Sequence, residues 1–229
     1  MKKMLLLAGI ATVAFAVNAS ACDWTPYVSA KVTASDLNFD RSSRWVQGGV
    51  ATVINSAGDD SQHVWGTSFA AGIDGGAIRA ELEWHRNTAG RYSNTWRDTA
   101  GWAISEKFKV KTDALMLNAY YDFDTGSAFT PYIGAGIGYA KTKVAYADNN
   151  FNINGFWKQT DSHTNIAWQI GAGIAYELND NVSIDVGYRY VDYGKFDVLN
   201  TTAVAFGNIT RDTYEVTANE LYAGIRYSF

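Results

Sequence analysis

The stretch "AIRAELEWHR" (residues 77–86) sets Arg79, Glu81, Glu83 and His85 at every second position. Such a group can do three kinds of chemistry. A carboxylate beside an imidazole can move a proton near neutral pH, because histidine titrates there. Imidazole and carboxylates together can hold a metal ion. Opposite charges can also simply pair and lock a structure. The residues between them, Ile78, Ala80, Leu82 and Trp84, are all apolar. A period of two belongs to a β-strand, whose successive side chains point to opposite faces. Four ionisable groups therefore share one face, and their chemistry depends on what that face looks at.

The same pattern recurs along the chain. Eight alternating segments can be drawn, at residues 24–35, 64–73, 77–86, 114–123, 131–140, 166–178, 182–190 and 219–229. On the face opposite the apolar one they carry Lys31, Arg79, Glu81, Glu83, His85, Asp122, Glu177, Asp185, Arg189, Glu220 and Arg226. The connections after the second, fourth and sixth segments are short: "DGG", "DTGSAFT" and "NDN". Those after the first, third, fifth and seventh are drawn as irregular loops of roughly twenty residues or more. Alternation of long and short linkers is the rhythm of an up-and-down outer-membrane barrel, with short periplasmic turns and long outer loops.

Composition agrees with this reading. The chain has 229 residues, with aromatics at 14%, charged residues at 18%, 21 Gly and two Pro, which suits strands and tight turns. A net charge of −4 without a basic stripe argues against a nucleic-acid partner. Beyond the first residues, no apolar run approaches the ~20 residues that a membrane helix needs. A membrane-spanning chain of this kind must then close into a barrel, because open edges leave backbone groups unsatisfied in lipid. The expectation is an all-β fold: an eight-stranded antiparallel up-and-down transmembrane β-barrel over residues 22–229. Its outer-face aromatics would form two interfacial belts, with Trp65, Trp84 and Trp168 beside the long connections and Tyr176, Tyr227 and Phe229 beside the short turns.

Residues 1–21 read as a secretory signal peptide: "MKK", an apolar stretch, then Ala19-Ser20-Ala21 before the cut. The single cysteine, Cys22, would be the first mature residue. That position resembles lipoprotein processing, but Ala19 stands where such signals usually have Leu; ordinary cleavage is preferred, with lipidation of Cys22 as the alternative.

Within an eight-stranded barrel the lumen is just wide enough for side chains to fill it. Its charges must pair, since lone buried charges are costly. The eleven ionisable residues are accordingly read as a packed salt-bridge plug. A narrow gated pore, or a proton-sensitive network at Glu83 and His85, is the alternative. "GAGIG" (residues 134–138) lacks the spacing of a dinucleotide fingerprint; its glycines, with Gly171 and Gly173, would leave room for larger inward side chains. The three histidines, His63, His85 and His163, with Ser61 and Ser162 near two of them, show no nucleophile–base–orienter pattern. Neither an enzyme nor a bound cofactor or metal is expected. The segments "LNFDRSSRWVQGGVATVINSAGDDSQ" and "NTAGRYSNTWRDTAGWAISEKFK" mix aromatic, amide and charged residues, as contact surfaces do.

Several pieces carry a resemblance: "NAYYDF" (118–123), "TPYIGAGIGYA" (130–140), "WQIGAGIAYELNDNVSIDVGYRYVD" (168–192) and "ELYAGIRYSF" (220–229). The chain resembles the opacity-protein and outer-membrane β-barrel family, the eight-stranded surface proteins of Gram-negative bacteria. These are similar in turn to the membrane domain of outer-membrane protein A. The resemblance implies an outer-membrane surface protein in contact with lipid, with an adhesin-like or antigenic role. It also implies that the assembly machinery of the outer membrane reads the aromatic closing strand. Members include haem-binding proteins, and other outer-membrane barrels are hydrolases; fold alone does not choose among activities.

Overall fold

A computed structural model of the protein describes residues 24–47, 56–58, 61–97, 103–150, 155–200 and 209–229. Cys22 and the leader lie outside them, as do residues 48–55, 59–60 and 98–102 of the two contact segments. The strands are β1 (Thr25–Gln47), β2 (Ser56–Gly58), β3 (Ser61–Asp74), β4 (Ile78–Asn87), β5 (Gly90–Arg97), β6 (Ala103–Asp122), β7 (Phe129–Asn150), β8 (Gly155–Asn179), β9 (Val182–Asn200) and β10 (Ile209–Ser228).

These ten strands fill eight positions in the barrel wall. β4 and β5 lie end to end along β6, facing residues 113–121 and 103–110 of it respectively. β3 pairs with β4, and β2 with β5, along the next seam. Closure comes from β10 on β1, with Val28 opposite Tyr227 and Ala34 opposite Leu221, and from β6 on β7. All pairings are antiparallel, so the membrane-level wall presents no free edge.

The short turns are set by local chemistry. Asp74 Oδ1 accepts from the Gly76 amide at 2.8 Å, and Gly76 takes φ +86°, a region that glycine enters without steric cost. At the next turn Asn179 Oδ1 accepts from the amides of Asn181 and Val182.

The long connections differ from expectation. They are not irregular loops but continuations of the strands. β6 to β10 run for 19 to 25 residues, against the ~9–11 that cross a bilayer. The physical reason is a change of solvent along each strand. On β6 and just past its end the outward residues are Leu115, Leu117, Ala119, Tyr121 and Phe123, with Leu117 60% exposed. Higher up, the outward residues become Lys107, Lys109, Lys111 and Asp113. The inward face inverts in step, from Asn118 and Asp122 to Phe108, Val110, Ala114 and Met116. Hydrocarbon tolerates apolar side chains outside, whereas water requires them inside. One strand thus serves both environments without losing its period of two.

Candidate functional site

The inward face of the membrane-level barrel is polar and filled. Near the short-turn end, Arg79 makes a two-pronged pair with Asp122, at 2.5 and 2.8 Å. Its guanidinium lies 4.9 Å from the ring centres of both Tyr120 and Tyr132. Arg226 reaches Asp74 at 3.1 Å and Asp185 at 3.6 Å.

The middle layer is built around two buried glutamates. Glu81 accepts from Lys31 at 2.8 Å, Tyr120 at 2.7 Å and Tyr27 at 3.0 Å. Glu83 accepts from Arg189 at 2.7 Å and Lys31 at 3.2 Å, with Asn118 serving both carboxylates. Above them, Glu220 receives Arg189 Nε at 2.7 Å, Ser35 at 2.9 Å and Tyr193 at 3.1 Å. His85 sits between, with Nδ1 at 3.0 Å from Arg189 and Nε2 at 3.2 Å from Glu220. A guanidinium has donors only, so Nδ1 accepts, while Nε2 lies between Asn87 Oδ1, at 3.1 Å, and Glu220. This geometry holds charges in place.

Small residues make the space. A Cβ on Gly134 would come within 2.3 Å of the Tyr120 ring, and one on Gly136 within 2.0 Å of Asn118 Oδ1. A remaining void of about 10 Å³, bordered by Tyr120, Gln169, Arg189 and Tyr222, has room for roughly one water.

Above the polar layers the interior turns apolar. Phe39 stacks on Tyr214 at 4.6 Å and meets Tyr92 and Phe108 at 5.3 Å each. Leu37, Val110, Val144, Tyr193, Phe196 and Val216 belong to the same cluster. Tyr92 donates to the Leu37 carbonyl at 2.7 Å; burial, aided by Asp40, pushes its hydroxyl pKa up, so it stays a protonated donor. The polar network is thereby covered on its outer side.

Ten of the eleven sequence-derived ionisable residues lie in this interior: Lys31, Arg79, Glu81, Glu83, His85, Asp122, Asp185, Arg189, Glu220 and Arg226 are all buried. Glu177 is a correction. It has the inward parity but is exposed, because it sits at the short-turn rim beside the irregularity between Glu177 and Asn179. Sequence reasoning missed Asp74, Asn87 and the tyrosines Tyr27, Tyr193 and Tyr222 as partners. Parity shared with their charged neighbours was the available signal.

The histidines are not brought together. His85 is in the lumen, His63 contacts Asp36 on the outer wall, and His163 stacks on Phe196 at 4.6 Å. Among the described residues, no cluster of three or more metal-ligating side chains occurs.

The outer wall exposes Trp65, Trp168, Tyr176, Tyr227 and Phe229, while Trp84 is half-buried against Phe69 at 6.2 Å. Trp168 does not lie beside a connection, where the sequence pattern places it. Trp168 lies midway along β8, where the outward face changes from Ser162 and Thr164 to Ile166, Ile170 and Ile174.

Known proteins share this architecture and part of this sequence. The family described as "Outer membrane protein beta-barrel domain" matches residues 5–229. The outer membrane protein PagN of Salmonella typhimurium is 35% identical over 130 residues, covering 55% of this chain and 53% of PagN. A putative adhesin of Rickettsia massiliae is 28% identical over 131 residues, covering 56% of this chain and 55% of its own. The chain thus spans about half the length of these curated relatives. Among solved structures, Neisserial surface protein A covers 89% of this chain and 97% of its own, with a TM-score of 0.55 at 23% identity. OprG of Pseudomonas aeruginosa covers 91% and 96%, with a TM-score of 0.55 at 17% identity; both likenesses concern the fold. The chain belongs to the outer membrane protein β-barrel domain family and resides in the cell outer membrane.

Proposed function

We propose that the protein is a surface contact protein, adhesin-like, whose membrane barrel is a closed pedestal and whose strand extensions carry the contact surface. The observation that carries this reading is the inversion of polarity above the lipid band. Residues 107–113 of β6 and 141–144 of β7 form a water-facing wall around an apolar core, a built projection rather than slack loop. Relatives named as putative adhesins support it. No catalytic step is assigned, because the three histidines stand apart and none has the geometry of a triad.

Expression of the full chain in a non-adherent Gram-negative strain should raise attachment to epithelial monolayers. Replacing the extensions of β7 and β8, which are consecutive at the upper end, by a short turn should abolish that gain while the barrel still assembles. Attachment no better than that of the empty strain would overturn the reading. The filled lumen also speaks against a solute conduit, and stable unitary steps in a planar bilayer would favour one instead.

Two further parts belong to this proposal. Residues 1–21 direct export and are removed, which mass spectrometry of the mature N-terminus tests. The closing strand engages the assembly machinery through Tyr227 and Phe229, which lie edge to face at 5.2 Å on the lipid side. Phe229→Asp should lower surface levels; unchanged levels would refute this.

A further inference from the structure

The chain is acidic overall, at −4, yet one sector of its outer wall is basic. Arg91 on β5, Lys107, Lys109 and Lys111 on β6, and Lys141 and Lys143 on β7 all take outward positions on neighbouring strands. The register sets Arg91 directly opposite Lys109, and Lys111 directly opposite Lys143. Like charges facing each other across a strand pair are destabilising.

Elsewhere the extension balances its bases. Lys195 pairs with Glu215 at 3.0 Å and Arg86 pairs with Asp113. Among the described residues, none of the six has an acidic partner. The one described carboxylate at an outward position of β6 or β7 beside them, Asp113, stands opposite Lys141 in the register but makes its ion pair with Arg86, which leaves five bases with no facing acid.

The height of the sector is also informative. Lys141 is the first outward residue beyond Tyr139, which is 65% exposed at the top of the apolar band on β7. Lys111 lies four residues above Leu115, the last apolar outward residue on β6. At ~3.3 Å per residue, the sector begins at the edge of the hydrocarbon and climbs through the layer that holds lipid headgroups.

We infer that this sector, Lys107, Lys109, Lys111, Lys141 and Lys143 with Arg91, is a binding surface for the phosphate groups of an anionic glycolipid in the outer leaflet. The phosphates relieve the facing Arg91–Lys109 and Lys111–Lys143 pairs and fix the barrel's depth on this side. A soluble polyanion would have no need of bases at the hydrocarbon edge. Lys141 and Lys111 are placed for a ligand anchored in the membrane.

The probe is diphosphorylated lipid A. The full chain is reconstituted in phosphatidylcholine nanodiscs with a minor fraction of lipid A, and lipid retained on the protein is read by native mass spectrometry, with heat-modifiable gel mobility as the stability readout. Wild type should retain phosphorylated lipid A over phosphatidylcholine and unfold at a higher temperature in its presence. Dephosphorylated lipid A should give neither effect, an arm that needs no variant. Each Lys→Gln change among the five lysines should weaken retention about five-fold, and ~0.5 M salt should erase most of the preference. Lys195→Gln, outside the sector, should leave retention unchanged. Equal retention of phosphorylated and dephosphorylated lipid A by the wild type would overturn the proposal. So would full retention by a correctly folded Lys107→Gln/Lys109→Gln/Lys111→Gln/Lys141→Gln/Lys143→Gln variant. If those changes abolish binding of a soluble sulfated polysaccharide while lipid A retention is unaffected, the sector serves a soluble polyanion and the proposal also fails.

Discussion

Arg189 and Glu83 stand 106 residues apart in the chain and 2.7 Å apart in the lumen. The same guanidinium reaches Glu220 on the adjacent strand, also at 2.7 Å. One cation therefore ties β9 to β10 beside it and to β4 across the barrel.

Removing that cation should leave two buried carboxylates without their main partner. Arg189→Met should destabilise the barrel by about 3–5 kcal/mol, since breaking a buried pair from one side strands the other charge. Adding Glu83→Gln and Glu220→Gln to Arg189→Met should recover part of the loss. Urea titrations in lipid vesicles, followed by tryptophan fluorescence and gel mobility, measure both. A triple variant no more stable than the single one would show that charge stranding is not the cause.

The glycines of β7 should resist enlargement. A side chain at Gly136 meets Asn118 Oδ1, which itself accepts from Gln169 at 2.5 Å. Gly136→Val should cost about 1–3 kcal/mol through overpacking and lower the refolded yield. Ala135→Val, on the lipid side of the same strand, should refold normally in the same assay.

Truncation in the upper cluster should act locally. Phe39 is 5% exposed among Tyr92, Phe108 and Tyr214, and Phe39→Ala should cost about 3–5 kcal/mol at that site. The extension should open before the lipid-embedded wall, because the two share strands but not a core. Limited proteolysis on intact cells should cut the extension faster in Phe39→Ala, while the gel shift of the membrane barrel persists.

Charge on the wall should be judged by height. Leu117→Arg, within the apolar band, should cost about 2–4 kcal/mol. Lys109→Glu, on the same strand and face but in water, turns the facing Arg91–Lys109 pair into opposite charges and should leave the unfolding midpoint in plain phosphatidylcholine unchanged or slightly raised. Equal costs at the two positions would contradict the placement of the band between them.

The sequence by itself determined the faces. In residues 77–86 a period of two separates Arg79, Glu81, Glu83 and His85 from Ile78, Ala80, Leu82 and Trp84, and parity survives any detail of packing because it is built into the strand backbone. The antiparallel order was also legible, since "DGG" and "NDN" are too short to connect anything but neighbours. The lengths of the strands were not. "KFKVK" (residues 107–111) alternates as cleanly as any membrane strand, but with its polarity reversed, so it fails a template in which apolar residues face outward. Whether lipid or water lies outside depends on height above the band, which a local window does not contain.

Depth and partnership belonged to the tertiary structure alone. Glu177 has the right parity and the wrong depth. Arg189 has a legible face, but its choice of Glu83 and Glu220 arises from strand tilt and stagger, which decide which residues of distant strands share one level of the lumen. For the same reason the facing of Lys111 and Lys143 becomes visible only once β6 and β7 are in register. Alternation is a property of one strand and can be read along it. A level in a barrel is a property of eight positions closed together, and it exists only after closure.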